Sequence, residues 1–318
     1  MKCRRCRGPA VIDLRAQHAA FCADCFLHHC REQVRRTISK YRMIRRADRP
    51  LIAVSGGKDS LALWDILTEL GHQVDGVYLG LGIGQYSDRS GEAAREFAAG
   101  RGLKLLEVDL AADVGFGIPD TAATGRSPCS ACGLSKRHLL NTNALEHGYN
   151  VLVTGHNLDD EVAVLFGNTM RFDLPYLARQ YPVLPEREGF ARRVKPLVKL
   201  TERETAAYCV IRRVDYLIEE CPMAAGNKHL AYKDVLNTME DRAPGTKAQF
   251  FTTFQDNLLP LLDDLAEEER GAVHPCARCG SPTVSEVCAF CRLKERASAT
   301  RERRLARRES ADRGEKET

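Results

Sequence analysis

Short apolar runs alternate with segments of helical apolar spacing through the middle of the chain. The runs predict buried β-strands at 51–54, 74–80, 104–109 and 151–154. Apolar residues that recur three or four positions apart predict helices at 61–70, 91–99, 134–147 and 159–170. Because strands that alternate with helices build parallel sheets covered on both faces, the pattern predicts an α/β fold with a doubly wound, mostly parallel sheet.

The loops that follow three of these strands are the expected ligand site. Ligands of doubly wound sheets bind beyond the carboxyl ends of the strands. We therefore expect residues 55–60, 79–85 and 155–160 to converge. Farther along the chain, the pattern predicts a loop-rich segment at 171–200 and helices at 201–215 and 229–265.

The loop after the first strand has the composition of a phosphate-binding turn. It reads Ser55-Gly56-Gly57-Lys58-Asp59-Ser60 and opens a helix. Glycines let the backbone approach a ligand, and the helix N-terminus offers N–H groups and partial positive charge. The spacing is not that of the GxxxxGK[ST] loop. An ordinary glycine turn is the structural alternative.

A second loop, after the fourth strand, supplies carboxylates. It reads Gly155-His156-Asn157-Leu158-Asp159-Asp160-Glu161. Acidic side chains at a helix start can serve only as caps and dipole partners. Beside a phosphate site they can also hold Mg²⁺, and we assign that role to Asp160 before Asp159 or Glu161.

Composition limits the function classes. The chain has 318 residues, 28% of them charged, and a net charge of +4. This length predicts about two domains, and no apolar run reaches the roughly 18 residues of a membrane span. Cys3 and Cys6 stand where a signal peptide needs an apolar region, so we expect a cytoplasmic protein without a membrane partner. The mild positive charge permits nucleic-acid binding without establishing it.

Eight of the thirteen cysteines form CxxC pairs at the two ends of the chain. Four-thiolate sites of this spacing bind zinc, which stabilises modules too small for a core of their own. Disulfides are the competing interpretation, and nearby His18, His28, His29 or Cys30 could replace a ligand. We predict one Zn²⁺ in each of two sets: Cys3, Cys6, Cys22 and Cys25, and Cys276, Cys279, Cys288 and Cys291.

A further CxxC pair stands in midchain. Cys129 and Cys132 cannot saturate a metal alone, but Cys221 offers a third thiolate after a predicted helix. Three cysteines suit a [4Fe–4S] cluster with one iron lacking a protein ligand. A redox dithiol and a third zinc site are alternatives that the spacing does not exclude.

These features divide the chain into four parts. We predict an N-terminal zinc module (1–30), a catalytic domain (31–265), a C-terminal zinc module (266–292) and a charged tail (293–318). The catalytic domain begins with a basic amphipathic helix at 31–49. Its arginines and lysines form either a solvated face or a contact with an RNA backbone.

The combination of motifs resembles a known enzyme family. SGGKDS resembles the PP-loop of N-type ATP pyrophosphatases, which share the adenine nucleotide alpha hydrolase-like fold. Together with the midchain CxxC, the distant Cys221-Pro222 and terminal zinc modules, it is similar to the TtcA-like PP-loop tRNA 2-thiolation enzymes. Within them, the match over about residues 1–292 resembles most the TtuA group, which thiolates 5-methyluridine in the tRNA T loop. Wobble-uridine and cytidine 2-thiolation are the alternatives.

The resemblance implies an ATP site and a first chemical step. The uridine C2 oxygen attacks the α-phosphate of ATP, which gives an adenylated base and pyrophosphate. Asp59, Lys136, Lys58 and Asp160 are the implied catalytic residues. The implied ATP-binding residues are Ala53, Ser55, Gly56, Gly57, Lys58, Asp59, Ser60, Leu79, Lys136 and Gly155.

The resemblance also implies a sulfur route. A [4Fe–4S] cluster on Cys129, Cys132 and Cys221 would bind hydrosulfide at its open iron and present it to C2. The implied partners are tRNA and a ubiquitin-like carrier that ends in a thiocarboxylate, and we expect a homodimer.

Two other function classes compete with this prediction. A different PP-loop enzyme, such as a tRNA lysidine synthetase or an amidating ligase, would use the ATP site without needing three cysteines. A zinc-bearing RNA-binding or redox-sensing protein would carry a non-catalytic nucleotide fold. The intact Lys58, Asp59 and Asp160 argue against that second class.

Overall fold

The computed structural model describes residues 1–262 and 273–314, with side chains described through Ala306. Its centre is a six-stranded sheet in the order β5-β4-β3-β6-β8-β7. All neighbouring strands run parallel except β7, which is antiparallel to β8. The strands are β3 (Pro50–Val54), β4 (Asp75–Gly80), β5 (Leu105–Asp109), β6 (Val151–Thr154), β7 (Val183–Leu184) and β8 (Arg192–Val194). The predicted doubly wound, mostly parallel fold is confirmed.

The helices cover both faces of this sheet. Trp64 lies fully buried beneath β4, where its ring leaves no room for a side chain at Gly76. The helices are α1 (Ala23–Tyr41), α2 (Lys58–Glu69), α3 (Gly84–Ala99), α4 (Pro128–Glu146), α5 (Leu158–Met170), α6 (Leu174–Leu177), α7 (Glu202–Arg212), α8 (Lys228–Arg242), α9 (Thr246–Thr253) and α10 (Ala289–Gly314).

Several predicted boundaries are wrong. The helix predicted at 134–147 begins at Pro128, because Ser127 caps it and Pro128 fits a first helical position. The helix predicted at 91–99 begins at Gly84. The basic helix predicted at 31–49 ends at Tyr41, with Arg42 in a left-handed cap conformation.

Two more segments differ from the sequence prediction. The segment 171–200, predicted as loop-rich, contributes strands β7 and β8 to the sheet, although each has only two or three residues. The single helix predicted at 229–265 is divided into α8, α9 and shorter turns that end at Leu262. Residues 263–265 lie outside the described part of the chain.

A small antiparallel hairpin accompanies each terminal four-cysteine set. Strands β1 (Ile12–Leu14) and β2 (Ala19–Phe21) pair antiparallel before α1 begins. Strands β9 (His274–Pro275) and β10 (Pro282–Thr283) pair in the same way before α10. Among the described helices, none combines the length and apolar character that crossing a membrane requires.

Candidate functional site

The SGGKDS turn joins β3 directly to α2. Gly57 is the N-cap and Lys58 the first helical residue, so the free N–H groups of the helix start face the strand ends. Gly56 has φ +73°, and a Cβ there would collide with the Ser90 carbonyl. Gly155, at the end of β6, packs so closely that a Cβ would lie 3.0 Å from Ser60 Cα. Gly56 is therefore required by its positive φ and its contact with α3, and Gly155 allows the end of β6 to pack closely against the start of α2.

A cavity of about 80 Å³ opens beside this turn. Ala53, Ser55, Leu79 and Lys136, four of the predicted ATP-binding residues, line it together with Tyr86. The other predicted residues lie in the adjoining turn or at the end of β6 rather than in the cavity wall: Gly56, Gly57, Lys58, Asp59, Ser60 and Gly155. The predicted convergence of three strand-end loops is therefore observed.

Charged side chains form a chain across the mouth of the PP-loop. Lys58 Nζ lies 3.3 Å from Asp59 Oδ2 and 2.7 Å from Glu202 Oε1. Lys233 Nζ lies 3.1 Å from Glu202 Oε2 and 2.6 Å from Asp160 Oδ1. Burial lowers the pKa of Lys58, but its pairing with Asp59 and Glu202 outweighs this, so the pKa is raised and the lysine stays charged.

Asp59 is held rigidly on the α2 side of this network. Thr205 Oγ1 donates to its Oδ1 at 2.5 Å, and Asn157 Nδ2 donates to the same oxygen at 3.1 Å. Burial raises the pKa of Asp59, and the nearby Asp160 raises it further, against the opposing effect of Lys58 and Thr205. The carboxyl group is therefore oriented and poised toward protonation more readily than an exposed aspartate.

The three acidic residues at the start of α5 have different surroundings. Asp159 is buried and pairs with Lys247 at 2.5 Å, and Glu161 is buried and pairs with Lys195 at 2.8 Å. Asp160 joins the network at the PP-loop through its ion pair with Lys233, whereas Asp159 contacts it only through the Glu202 backbone N–H, which donates to Asp159 Oδ2 at 2.7 Å. This arrangement places Asp160, the residue given priority from the sequence, beside Lys233.

The three midchain cysteines lie near one another and near the nucleotide cavity, although their sulfurs are not all within 4.8 Å of one another. Cys129 and Cys132 lie in the first turns of α4, and Cys129 Sγ contacts the Met223 carbonyl at 3.7 Å, two residues beyond Cys221. Burial raises the pKa of the Cys132 thiol, while neighbouring Lys136 lowers it and the thiols of Cys221 and Cys129 raise it.

Tyr86 connects the two sites. It lines the nucleotide cavity. Burial raises the pKa of its phenol, and the nearby thiols of Cys221 and Cys132 raise it further. Lys136 likewise lines the cavity and lies close enough to Cys132 to lower its pKa. Cys132 and Cys221 therefore lie close to residues of the cavity wall, although none of the three cysteines itself lines the cavity.

The terminal cysteine sets have the geometry of metal sites. In each set of four, the sulfurs all lie within 4.8 Å of one another. Backbone N–H groups lower the pKa of Cys3 and of Cys276 to about 6, which favours the thiolate form that metals bind. All thirteen cysteines lie in the described residues and none forms a disulfide, so the disulfide interpretation is not supported. Cys30 is buried in the core, and His29 contacts Glu204 instead.

Sequence reasoning missed Glu202, Lys233 and Thr205. Each comes from a helix more than 140 residues after the PP-loop, and none belongs to a motif of fixed spacing. The only signal was the helix start Thr201-x-x-Glu204, a capping box that predicts where α7 begins but not which loop it faces.

Comparison with known proteins identifies the family. The model of the 2-thiouridine synthetase TtuA N-terminal LIM domain matches residues 2–27, and the PP-loop domain model matches residues 27–225. The tRNA-5-methyluridine(54) 2-sulfurtransferase of Thermus thermophilus is 49% identical over 92% of this chain and 91% of its own length. The enzyme of the same name from Pyrococcus horikoshii is 37% identical over 92% of this chain and 93% of its own length.

A solved structure agrees with these matches. The U34-tRNA thiolase NcsA from Methanococcus maripaludis, determined with its [4Fe–4S] cluster, superposes with a TM-score of 0.77 at 25% identity, over 93% of this chain and 96% of that one. The fold, the sequence motifs and the similarity over nearly the full length all indicate the same family. The chain belongs to the TtuA family of PP-loop tRNA 2-sulfurtransferases.

Proposed function

We propose that this protein is an ATP-dependent tRNA sulfurtransferase that converts 5-methyluridine 54 of the T loop into 5-methyl-2-thiouridine. The observation that carries the proposal is that two residues of the nucleotide-cavity wall, Lys136 and Tyr86, also lie close to Cys132. A PP-loop enzyme of another class has no use for thiols at that place. The named relatives carry the same activity in their names.

The PP-loop residues would bind ATP and favour adenylation of the base. The N–H groups at the start of α2 and the Lys58 ammonium would neutralise charge that develops as pyrophosphate leaves. Lys136, between the cavity and the thiols, would hold the α-phosphate and the reacting uridine oxygen. Asp160 and Asp59 are the carboxylates suited to Mg²⁺ beside the phosphates.

The midchain cysteines fit an iron–sulfur cluster with three protein ligands. Cys132 lies near Cys129 and Cys221, but the three sulfurs are not all within 4.8 Å of one another as those of each terminal set are, a spacing wider than a single metal ion needs. Cys129, Cys132 and Cys221 would hold the [4Fe–4S] cluster. When bound, it would supply a Lewis-acidic iron that keeps a transferable sulfur deprotonated at neutral pH. Cys129 and Cys132 lie three residues apart at the start of α4, so the helix fixes their relative positions.

The terminal modules and the partners complete the proposal. We infer a Zn²⁺ in each four-cysteine set, within modules 1–30 and 266–292 that flank the catalytic domain 31–265 and precede the tail 293–318. The substrate is tRNA, the sulfur comes from a ubiquitin-like thiocarboxylate carrier, and the enzyme acts as a cytoplasmic homodimer. The names of the relatives support tRNA as substrate.

Mass spectrometry of tRNA nucleosides tests this function. The purified protein is reconstituted with iron and sulfide under anaerobic conditions and supplied with tRNA, ATP, Mg²⁺ and sulfide. We expect 5-methyl-2-thiouridine to accumulate and AMP to be released in equal amount. A 2-thiouridine derivative of the wobble position would assign the enzyme to the alternative substrate. Release of AMP without any thionucleoside would refute sulfur transfer.

A further inference from the structure

Glu202 bridges two lysines at the mouth of the PP-loop. One carboxylate oxygen lies 2.7 Å from Lys58 Nζ, and the other lies 3.1 Å from Lys233 Nζ. Lys58 belongs to the PP-loop turn, but Lys233 comes from α8, which no motif connects with nucleotide binding. Two ammonium groups from separate helices therefore converge on one carboxylate.

The Glu202 carboxylate lies where another anion would contact the same two lysines, and we call this place the anion position. Two part-buried ammonium groups, each about one-fifth exposed, need a shared counter-anion to remain charged side by side. Bridging phosphate oxygens would satisfy both lysines in the same way, with greater charge. The Glu202 side chain is 38% exposed at the first residue of α7, so it can turn toward solvent when a stronger anion arrives.

The other contacts of Lys233 keep its ammonium group near the start of α2. Its ammonium group lies 2.6 Å from Asp160, whose backbone N–H is capped by Asn157. Asn157 also contacts Asp59 on the PP-loop side. Lys233 is therefore fixed between two carboxylates that face the start of α2, not extended into solvent.

We propose that Lys233 binds the β- and γ-phosphates of ATP together with Lys58, and that Glu202 holds this anion position in the ATP-free protein. The proposal deepens the proposed function, on which it rests for the identity of ATP as substrate. Binding of the triphosphate exchanges the Glu202 carboxylate for phosphate oxygens on both lysines. AMP, which lacks these two phosphates, does not reach the site.

Calorimetric titration of the full chain with ATP, pyrophosphate and AMP tests the proposal. For Lys233→Met, we expect about tenfold weaker binding of ATP and pyrophosphate, since a hydrogen bond to a charged group contributes about 1.5 kcal/mol or more. AMP affinity should be unchanged. For Glu202→Gln, we expect ATP and pyrophosphate to bind several-fold more tightly, because the competing carboxylate is gone.

A matched variant distinguishes the loss of the Lys233 contact with phosphate from a general loss of positive charge on α8. Lys228 lies on the same helix and is exposed, so Lys228→Met should leave all three affinities unchanged. If Lys233→Met weakens AMP as much as ATP, or changes neither, Lys233 is only a structural ion-pair partner and the proposal fails. These titrations need no tRNA or sulfur source. Loss of thiolation with the predicted affinities intact would therefore overturn the proposed function and leave this inference standing.

Discussion

At the scale of single residues, the site depends on groups that hold Asp59 in one orientation. The Thr205 hydroxyl donates to the ionised form of this carboxyl group and so lowers its pKa. In Thr205→Val, the pKa of Asp59 should rise further, because the ionised carboxyl group loses a hydrogen-bond donor. The acidic limb of the pH–rate profile for AMP release should therefore move to higher pH. An unchanged limb would show that ionised Asp59 is not required.

Asp65 has a structural role that pH can reveal. Its side chain is 2% exposed and accepts hydrogen bonds from Tyr208 at 2.7 Å and from Arg212 and Arg101 at 2.9 Å. Burial raises the pKa of Asp65, but these donors outweigh it, so the pKa lies below its usual value. The resulting stabilisation is complete above the unfolded pKa of about 4 and is lost as pH falls through the lower folded pKa.

Asp65→Asn should therefore lower the free energy of unfolding by about 2–3 kcal/mol at pH 7, because it breaks a largely buried ionic network. The difference from the unsubstituted protein should shrink below about pH 4. Glu107 is the matched control, since its pair with Arg95 is about half exposed and contributes under about 1 kcal/mol. Urea unfolding of Asp65→Asn and Glu107→Gln at several pH values measures the loss in the free energy of unfolding for each variant. Equal losses in the two variants would contradict this account.

The sequence predicted the residues of the site that belong to local motifs. Lys58, Asp59 and Asp160 could be chosen because a strand, a loop and a helix follow one another there. Thr205, Glu202 and Lys233 could not, because their contacts depend on how α7 and α8 dock against the sheet. Such long-range contacts leave no periodic signal in the residues that make them.

At the scale of elements, α10 supports the segment that leads to the midchain cysteines. Phe290 stacks on His138 of α4 with ring centroids 3.9 Å apart. Farther along α10, Ser298 donates to the Gly115 carbonyl at 3.3 Å, and Arg304 lies 3.0 Å from the buried Asp120. The helix that carries Cys291, the last cysteine of the C-terminal set, therefore continues as a brace for residues 110–127.

Truncation within α10 tests this brace. Removal of residues 298–318 deletes the contacts to Gly115 and Asp120 but keeps all four terminal cysteines. We expect zinc content to be retained and iron content after reconstitution to fall several-fold, because the start of α4 loses its support. The control is removal of residues 307–318, which leaves these contacts in place. Equal iron content in the two truncated proteins would show that α10 does not brace the cysteines.

Element prediction failed where capping or pairing decided the outcome. The start of α4 at Pro128 is set by Ser127, and this start places Cys129 and Cys132 on a helix instead of in a loop. Strands β7 and β8 are too short to show alternation; β8 is a strand because it pairs with β6, and β7 because it pairs with β8. The apolar strands of the central sheet needed no such context and were predicted in the right places, whereas the amphipathic helices were found but several of their ends were wrong.

At the scale of the whole molecule, two terminal modules are fastened to the catalytic fold by different contacts. Gln17 and His29 of the N-terminal part each contact Glu204 Oε1 at 3.3 Å, next to the helix start that carries Glu202. The C-terminal module packs against α4 through Phe290. The metal ions proposed for the modules would therefore stabilise the surroundings of both the ATP site and the cysteine site.

Zinc analysis of single substitutions tests the assignment of the two modules. Cys6→Ser and Cys279→Ser should each reduce zinc from about two ions per chain to about one, because a four-sulfur site loses a ligand. Cys30→Ala is the control, since this buried thiol belongs to neither set and zinc should stay at about two. Loss of zinc in Cys30→Ala without unfolding would mean that the ligand sets are assigned wrongly.

The central claim is that one cavity brings ATP-activated uridine and the three midchain thiols together. A single-turnover anaerobic assay of Cys221→Ala, with pyrophosphate and thionucleoside measured in the same sample, tests it most directly. The account predicts that tRNA-dependent pyrophosphate release continues while thionucleoside is absent, and that Cys209→Ala, a buried thiol outside the trio, makes both products. Normal thiolation by Cys221→Ala would contradict the account.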